Sequence, residues 1–516
     1  MFRRRKLQKM LQQNKNRDDL PIGDIQFDTT PIYDGPLTSS LKKNVQIIKT
    51  AFGDSNDLHI RELTSRKDEK MAIAYFEGFV DETSIGNLLI NSLVNTEISI
   101  NTLFEKNQLL PSNSLTIETF KEIYRDLMNG FVLVLIDGYK NAYAFNFMKW
   151  EKRSIEDSQL EKNLRGPRDA FVEDLKTNCS LIRRRIKNVN LQIDGMTLGW
   201  RSSTQLCMIY VRDIVNLNIV IEAKRRLQAI DFDNIPDSTY IAHFIEDRPL
   251  SIFPQVLQTE KPDKVVSNLL EGKVVILSDN SPTALLLPTV YLDFFHLQDD
   301  FYDRYYITTL GRFIRYLGAF LATLATPLYI ALTAVNLDML PTKLAIPFSQ
   351  IRYIIPFPLI VEVLLMELTL ELLREAGLRI PHPIGPSISI VGGLVIGQTA
   401  ITAGLISPFL TIVVALSAIG YFSIPYEDMV ATYRAVKYFL IAGAALFGLF
   451  GIGAVLTLFI IHLCSITSFG IPYMAPFSEK GLLTYLKDMV RVPVFLSKKR
   501  HSYYRPQDQT KVKKNE

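Results

Sequence analysis

A chain of 516 residues is long enough for about three domain-sized units, and 57 basic against 53 acidic residues leave a formal charge of only +4. That balance gives no argument for a nucleic-acid partner, and Cys179, Cys207 and Cys464 share no ligand-like spacing, so they read as reduced thiols rather than a disulfide frame or a metal site. Charge is unevenly spread: residues 316–478 hold 13 Asp, Glu, Lys or Arg among 163, which predicts a membrane domain behind a soluble one.

Residues 1–40 begin with the basic, polar stretch Met1–Leu20. No apolar run follows it, which argues against a cleavable signal and places the soluble part in the cytoplasm. A first α/β subdomain is expected over 41–160. Met71–Val80 alternates like a strand, Asp81 can cap a helix over Glu82–Val94, and Gly130–Ile136 forms a buried strand answered across the turn Asp137-Gly138 by Ala142–Met148. A second follows over 161–310. Cys207–Val215 is a strand, Asn216 a cap, Ile219–Ala229 a helix, and Gly272–Ser278 turns at Asp279-Asn280 into Ala284–Pro288. The shared order predicts a duplicated β-α-β-β unit, against coincidence between generic amphipathic elements. Between the halves, Gly166-Pro167-Arg168-Asp169 leads into a helix expected over Ala170–Lys187, capped by Asp169 and ending in Arg183, Arg184 and Arg185. This helix is either a solvated connector or a dock for anionic lipid or an acidic partner.

The membrane domain, 311–478, divides into five apolar segments: Tyr316–Leu337, Tyr353–Leu373, Ile384–Ile406, Phe409–Ile424 and Tyr438–Cys464. The basic tail 479–516 and the arginines before the first segment predict both termini on the cytoplasmic side. Five segments conflict with an even number of crossings, so one must be re-entrant, interfacial or double. The second is the candidate misfit. At helical spacing Glu367, Glu371, Arg374 and Glu375 share one face and Glu362 the opposite one. Such a helix either lies at the interface, Glu371 pairing with Arg374, or lines water inside an assembly. Gly393, Gly397, Gly404 and Gly448 are candidates for close helix packing, within one chain or between copies. His382 and His462 are isolated. No nucleophile–base set, paired catalytic acids or cofactor motif is present, so neither catalysis nor a cofactor or metal is expected.

Four stretches together resemble a known family: Gly166–Asp169 with its Ile-Arg-Arg-Arg helix end; Asp247-Arg-Pro-Leu250 with Phe253-Pro-Gln255 and Thr259–Asp263; Pro356-Phe-Pro358 with Glu362, Met366-Glu367 and Glu371–Gly377; and Ile384-Gly-Pro with Ser389–Gln398. Over roughly residues 40–490 the chain is similar to the A subunit of GerA-type spore germinant receptors. The resemblance implies a multi-pass α-helical membrane domain preceded by an α/β cytoplasmic domain of two similar subdomains, seated in the spore inner membrane. It also implies a B subunit resembling an amino-acid permease, a C-subunit lipoprotein, and a ring of A subunits that conducts ions when nutrient binds. Glu362 has no basic residue on its own helical face, so in such a ring Glu362, Leu359 and Val363 are expected to line or gate the path, with Glu367 and Glu371 beside them; the alternative is that Glu362 pairs with Arg352 or a neighbouring chain and only positions the helix. Ser281-Pro282 after Asp279-Asn280 departs from the family pattern, so contacts of that turn transfer less safely. A solute transporter and a non-conducting scaffold are the competing classes.

Overall fold

The computed structural model describes residues 32–53, 55–95, 115–149, 165–379, 397–477 and 489–512. Two five-stranded antiparallel sheets form the soluble part, with orders β1-β2-β4-β5-β3 and β6-β7-β9-β10-β8. In the first, a helix α1 (Leu41–Phe52) precedes the hairpin β1 (Leu58–Thr64) and β2 (Lys70–Phe76). A helical stretch over 82–95 then leads to β3 (Leu115–Ile117), helix α2 (Phe120–Met128) and the hairpin β4 (Phe131–Ile136) and β5 (Ala142–Asn146). The second repeats this plan with α3 (Leu175–Arg185), β6 (Leu191–Leu198), β7 (Thr204–Val211) and α4 (Leu217–Gln228). It inserts α5 (Ser238–Ile245), then continues with β8 (Leu257–Thr259), α6 (Pro262–Leu269), β9 (Val274–Ser278) and β10 (Ala284–Leu287).

The duplication extends to single side chains. Asp137, in the β4–β5 turn, accepts from the N–H of Leu41 at 2.9 Å, and Asp279, in the β9–β10 turn, accepts from that of Leu175 at 3.3 Å. Each carboxylate thus takes one orphan donor at the start of its helix. One turn into those helices, Asn44 and Asn178 clamp the backbone six residues earlier: their Oδ1 atoms accept from the N–H groups of Thr38 (3.1 Å) and Val172 (2.9 Å). Gly138 and Asn280 both take positive φ, 88° and 61°, to turn the hairpins. The Ser281 departure leaves this turn in place; its hydroxyl donates to Asp237 Oδ1 at 2.5 Å.

Two expectations for the connector are overturned. The helix begins at Leu175, not Ala170, because Asp174 accepts from the N–H of Thr177 and caps it, while Asp169 is drawn away to pair with Arg185. Arg183 is no lipid dock: it is buried, and its Nε donates to Asp57 Oδ2 at 2.8 Å across the two subdomains.

In the membrane domain, α7 (Tyr305–Ile330, its helical path continuing to Val335) runs away from the soluble part. Helix α8 (Thr342–Ile354) lies at its far end, where Tyr329 meets Phe348 and Arg352 Nη1 donates to Thr333 O at 2.7 Å. Pro356–Pro358 separate α8 from α9 (Leu359–Arg379), and the two axes differ by 78°. Helix α10 (Pro408–Phe422) is short. Helix α11 spans Glu427–Ser465, but Gly448 has φ 60° and ψ −136°. A straight helix would hold residues 20 apart at about 30 Å, yet the rings of Phe439 and Phe459 lie 5.9 Å apart. The fifth segment is therefore a helical hairpin, and a Cβ on Gly443 would come within 3.0 Å of Gly451 O. Both its ends stand at the soluble part: Thr432 Oγ1 donates to Ile252 O at 2.6 Å, and Ser251 Oγ bonds His462 Nε2 at 2.9 Å. Among the described residues the segment that doubles back is the fifth, and the second segment's peculiarity is its bend.

Candidate functional site

The few charges inside the apolar bundle come together on two antiparallel helices. Lys437 and Arg434 stand one turn apart on the first leg of α11, with Glu427 below them; Glu367, Glu371 and Arg374 descend α9. Lys437 Nζ donates to Glu367 Oε1 at 2.5 Å and to Ser417 Oγ of α10 at 2.8 Å. Thr326 of α7 donates to the same Glu367 oxygen at 3.2 Å, and the Ser417 hydroxyl donates to Ala322 O at 2.9 Å. Four helices thus close around one ion pair whose side chains are 2% and 7% exposed. Further down, Arg434 pairs with Glu371 and Arg374 with Glu427, and the partners become progressively more exposed.

This arrangement follows from where the charges can go. Each would cost about 2.5–3.5 kcal/mol at mid-bilayer, so the polar face of α9 must turn inward and meet opposite charge. The Glu371–Arg374 pair that belonged to the interfacial alternative does not form; each finds its partner on α11 instead. Arg434, Lys437 and Ser417 were not singled out from sequence. The available signal was the pair Arg434 and Lys437, one turn apart and immediately before the uncharged run Tyr438–Ser478.

The opposite face of α9 sits at the far end of the bundle. Glu362 is buried and its Oε2 accepts from the N–H of Ser407 at 3.2 Å, at the N-terminus of α10. A carboxylate suits that end of a helix dipole. Leu359 and Val363 are buried beside it. Asn336, just past α7, plays the same part for the second leg of α11: its Oδ1 accepts from the N–H of Leu449 at 3.0 Å. Among the candidate packing glycines, Gly448 serves the chain reversal, and a Cβ there would also come within 2.9 Å of Val335 at the end of α7. A Cβ on Gly397 would sit 3.9 Å from Thr411, and one on Gly404 would meet open space. Gly393 lies outside the described residues.

The remaining motif residues converge where the soluble part meets the membrane helices. A Cβ on Gly166 would come within 2.5 Å of the ring of Tyr302. That ring's hydroxyl donates to Asp263 Oδ2 at 2.7 Å, three residues before α7 begins. Pro167 and Arg168 are exposed beside it. Arg165 pairs with Asp303 at 3.0 Å. Gln255 and Arg248 exchange two hydrogen bonds, freeing the Arg248 guanidinium to reach Ser465 Oγ at 2.8 Å. Glu246, which accepts from the N–H of Gln255 at 3.0 Å, is pushed up to about 7 by burial, with the Asp428 and Asp247 carboxylates adding to the rise.

The family model described as Bacillus/Clostridium GerA spore germination protein matches residues 46–503. Spore germination protein KA of Bacillus subtilis (strain 168) is 37% identical over 492 residues, covering 93% of this chain and 89% of that protein. Spore germination protein GerLA of Bacillus cereus is 36% identical, covering 92% and 97%. Among solved structures, the N-terminal domain of the A subunit of the Bacillus megaterium spore germinant receptor GerK3 is 28% identical, covers 50% of this chain and 98% of that one, and superposes with a TM-score of 0.38.

Proposed function

The chain belongs to the Bacillus/Clostridium GerA spore germination protein family, and from that premise we propose that it is the membrane subunit of a nutrient germinant receptor that assembles into a ligand-gated ion channel. Its setting is the spore inner membrane with both termini cytoplasmic. Its partners are further copies of itself, a B subunit resembling an amino-acid permease and a C-subunit lipoprotein. The observation that carries this reading is the α9–α11 charge ladder. Charges held at this expense inside an apolar bundle serve transport or gating by default. Pairs repeated at about one-turn spacing also give two antiparallel helices alternative registers, a step of about 5.4 Å.

In this mechanism nutrient binding by the partner shifts α9 against α11 by one turn, and Lys437 exchanges Glu367 for Glu371 instead of being left without a carboxylate. That movement withdraws Glu362 from Ser407 and turns it toward water, where a ring of carboxylates concentrates cations and Leu359 and Val363 close the path by dewetting. The same-side placement of the tail supports common sidedness of the termini: Gln507 N–H donates to Ile214 O at 2.8 Å on the soluble part.

The test is current through the purified assembly in planar bilayers, with and without its permease-like partner. Nutrient-dependent cation current, lowered in Glu362→Gln while crosslinking shows intact assembly, is the expected result. Solute uptake without current would make the protein a transporter, and neither activity would leave it a scaffold.

A further inference from the structure

The C-terminal tail is not a free basic arm. Residues 498–511 fold back on themselves, Arg500 N–H donating to Gln509 O and Lys511 N–H to Lys498 O, both at 2.9 Å. The loop is fastened to the second subdomain. Tyr503 and Tyr504 are buried, and the Tyr504 hydroxyl donates to Asp293 at 2.8 Å, a carboxylate that Lys273 also pairs at 2.7 Å. Arg500 Nε donates to Leu270 O at 2.7 Å. On the other side the tail is fixed to the membrane helix: Arg491 N–H donates to Thr309 Oγ1 of α7 at 3.1 Å, and its guanidinium lies 4.4 Å over the ring of Phe301.

Between these two fastenings the chain presents Val494, Phe495 and Leu496, which are 70%, 75% and 60% exposed. Two exposed lysines follow at once, Lys498 and Lys499. A segment held at both ends gains nothing in water from showing three adjacent large apolar side chains. The adjacent face of α7 has the same character. Arg312 and Arg315 turn inward to Asp300, which leaves Tyr306, Leu310 and Phe313 exposed on the outer side. The fastening at Thr309 thus sets the tail beside a spanning helix whose outer face is also apolar.

We infer that residues Val494–Lys499 form an interfacial anchor for an anionic bilayer, the apolar tip entering the acyl boundary and Lys498 and Lys499 meeting phosphate headgroups. Apolar side chains followed by cations match the two layers of such a surface, and the fastening at Thr309 puts the tip beside the start of the spanning helix. Because the same tail is riveted to the second subdomain, the anchor fixes the height of that subdomain over the membrane.

A photoreactive p-benzoyl-phenylalanine in place of Phe495 tests this in the full chain, reconstituted in nanodiscs of phosphatidylcholine with and without phosphatidylglycerol and also crosslinked in cells. The same probe in place of Trp200 is the control, since Trp200 is exposed in the β6–β7 turn, at the opposite end of the sheet from the β7 end that meets the tail. Lipid adducts at 495 and not at 200, increasing at least several-fold with phosphatidylglycerol and losing that increase in Lys498→Glu/Lys499→Glu, are expected. Adducts to another polypeptide at 495, no lipid adduct there, or adducts indifferent to headgroup charge would each overturn the anchor.

Discussion

Two buried clusters with the same ingredients, a cation, a carboxylate and a serine, do different things in the two halves of this molecule. In the soluble half the Arg183 guanidinium uses four of its five N–H donors. It donates to both oxygens of Asp57, to Ser55 Oγ at 3.0 Å and to Leu191 O at 2.9 Å, and lies 4.8 Å over the ring of Phe76. A planar fork held by four hydrogen bonds and a ring face has one geometry, and it rivets the first subdomain to the second. In the membrane half Lys437 is a point charge on a flexible stem, held by Glu367 and Ser417, with further opposite charges one turn along the same helices. The first cluster fixes a register. The second lets registers exchange at modest expense, which is what a gate requires.

The largest effect separating them is expected at the rivet. Arg183→Met leaves Asp57 buried without its cation and should destabilise the soluble part by about 3–5 kcal/mol. Thermal unfolding followed in the full-length protein checks this, and adding Asp57→Asn should recover most of the loss. Unaltered melting would mean that the remaining contacts, among them Lys176–Glu77 at 2.5 Å and Asn56 N–H to Ile193 O at 3.0 Å, hold the two subdomains without it.

The hairpin that brings the second leg of α11 back comes next. At φ 60° and ψ −136° only glycine is comfortable, and a Cβ on Gly448 would meet Asn336 Oδ1 at 2.1 Å. Gly448→Ala is expected to cost about 1–3 kcal/mol in backbone strain. Its signature is weakened disulfide crosslinking between cysteines placed at Phe439 and Phe459, which form a ring pair when the legs are closed. Full crosslinking in the variant would show that the reversal does not depend on this residue.

Ser417→Ala removes two hydrogen bonds, one of them from the Lys437 ammonium, which should cost about 1.5–3 kcal/mol and should change the voltage or nutrient threshold of gating more than the melting temperature. The smallest effect is at the junction. Folding raises the Glu246 carboxyl to about 7, so its neutral form is the one the folded junction prefers. Its stabilising contribution is therefore full below the ordinary glutamate pKa of about 4.3 and is lost as pH rises toward and through 7. Hydrogen-exchange protection of residues 246–255, after correction for the intrinsic rise of exchange with pH, should fall over that range, and Glu246→Gln should flatten the dependence.

How far the sequence could be read depends on whether a signal is local. The repeated strand, cap, helix and hairpin were legible because alternation and capping residues act within a few positions. Strand β1 was missed because Leu58-His-Ile-Arg-Glu-Leu-Thr64 is an edge strand with one polar face and no apolar run. The connector offered two aspartates five residues apart, and only the distant pairing of Asp169 with Arg185 decides between them. Gly448 carried no turn signature, since neither polar residues nor proline mark the reversal. The acidic face of α9 was visible as periodicity, but its partners on α11 lie 53 to 70 positions away in sequence. Pairing across that distance is set by helix packing.

The most direct test of the gating ladder is an exchange of its central charges. Bilayer current is measured for Glu367→Lys and Lys437→Glu separately and for the two combined, each in assemblies verified by crosslinking. The singles place like charges together inside the bundle and should abolish nutrient-controlled current, while the combined exchange restores the pair and most of the control. Normal control in either single variant, or a combined variant no better than the singles, would contradict the assignment of the α9–α11 contact as the gate.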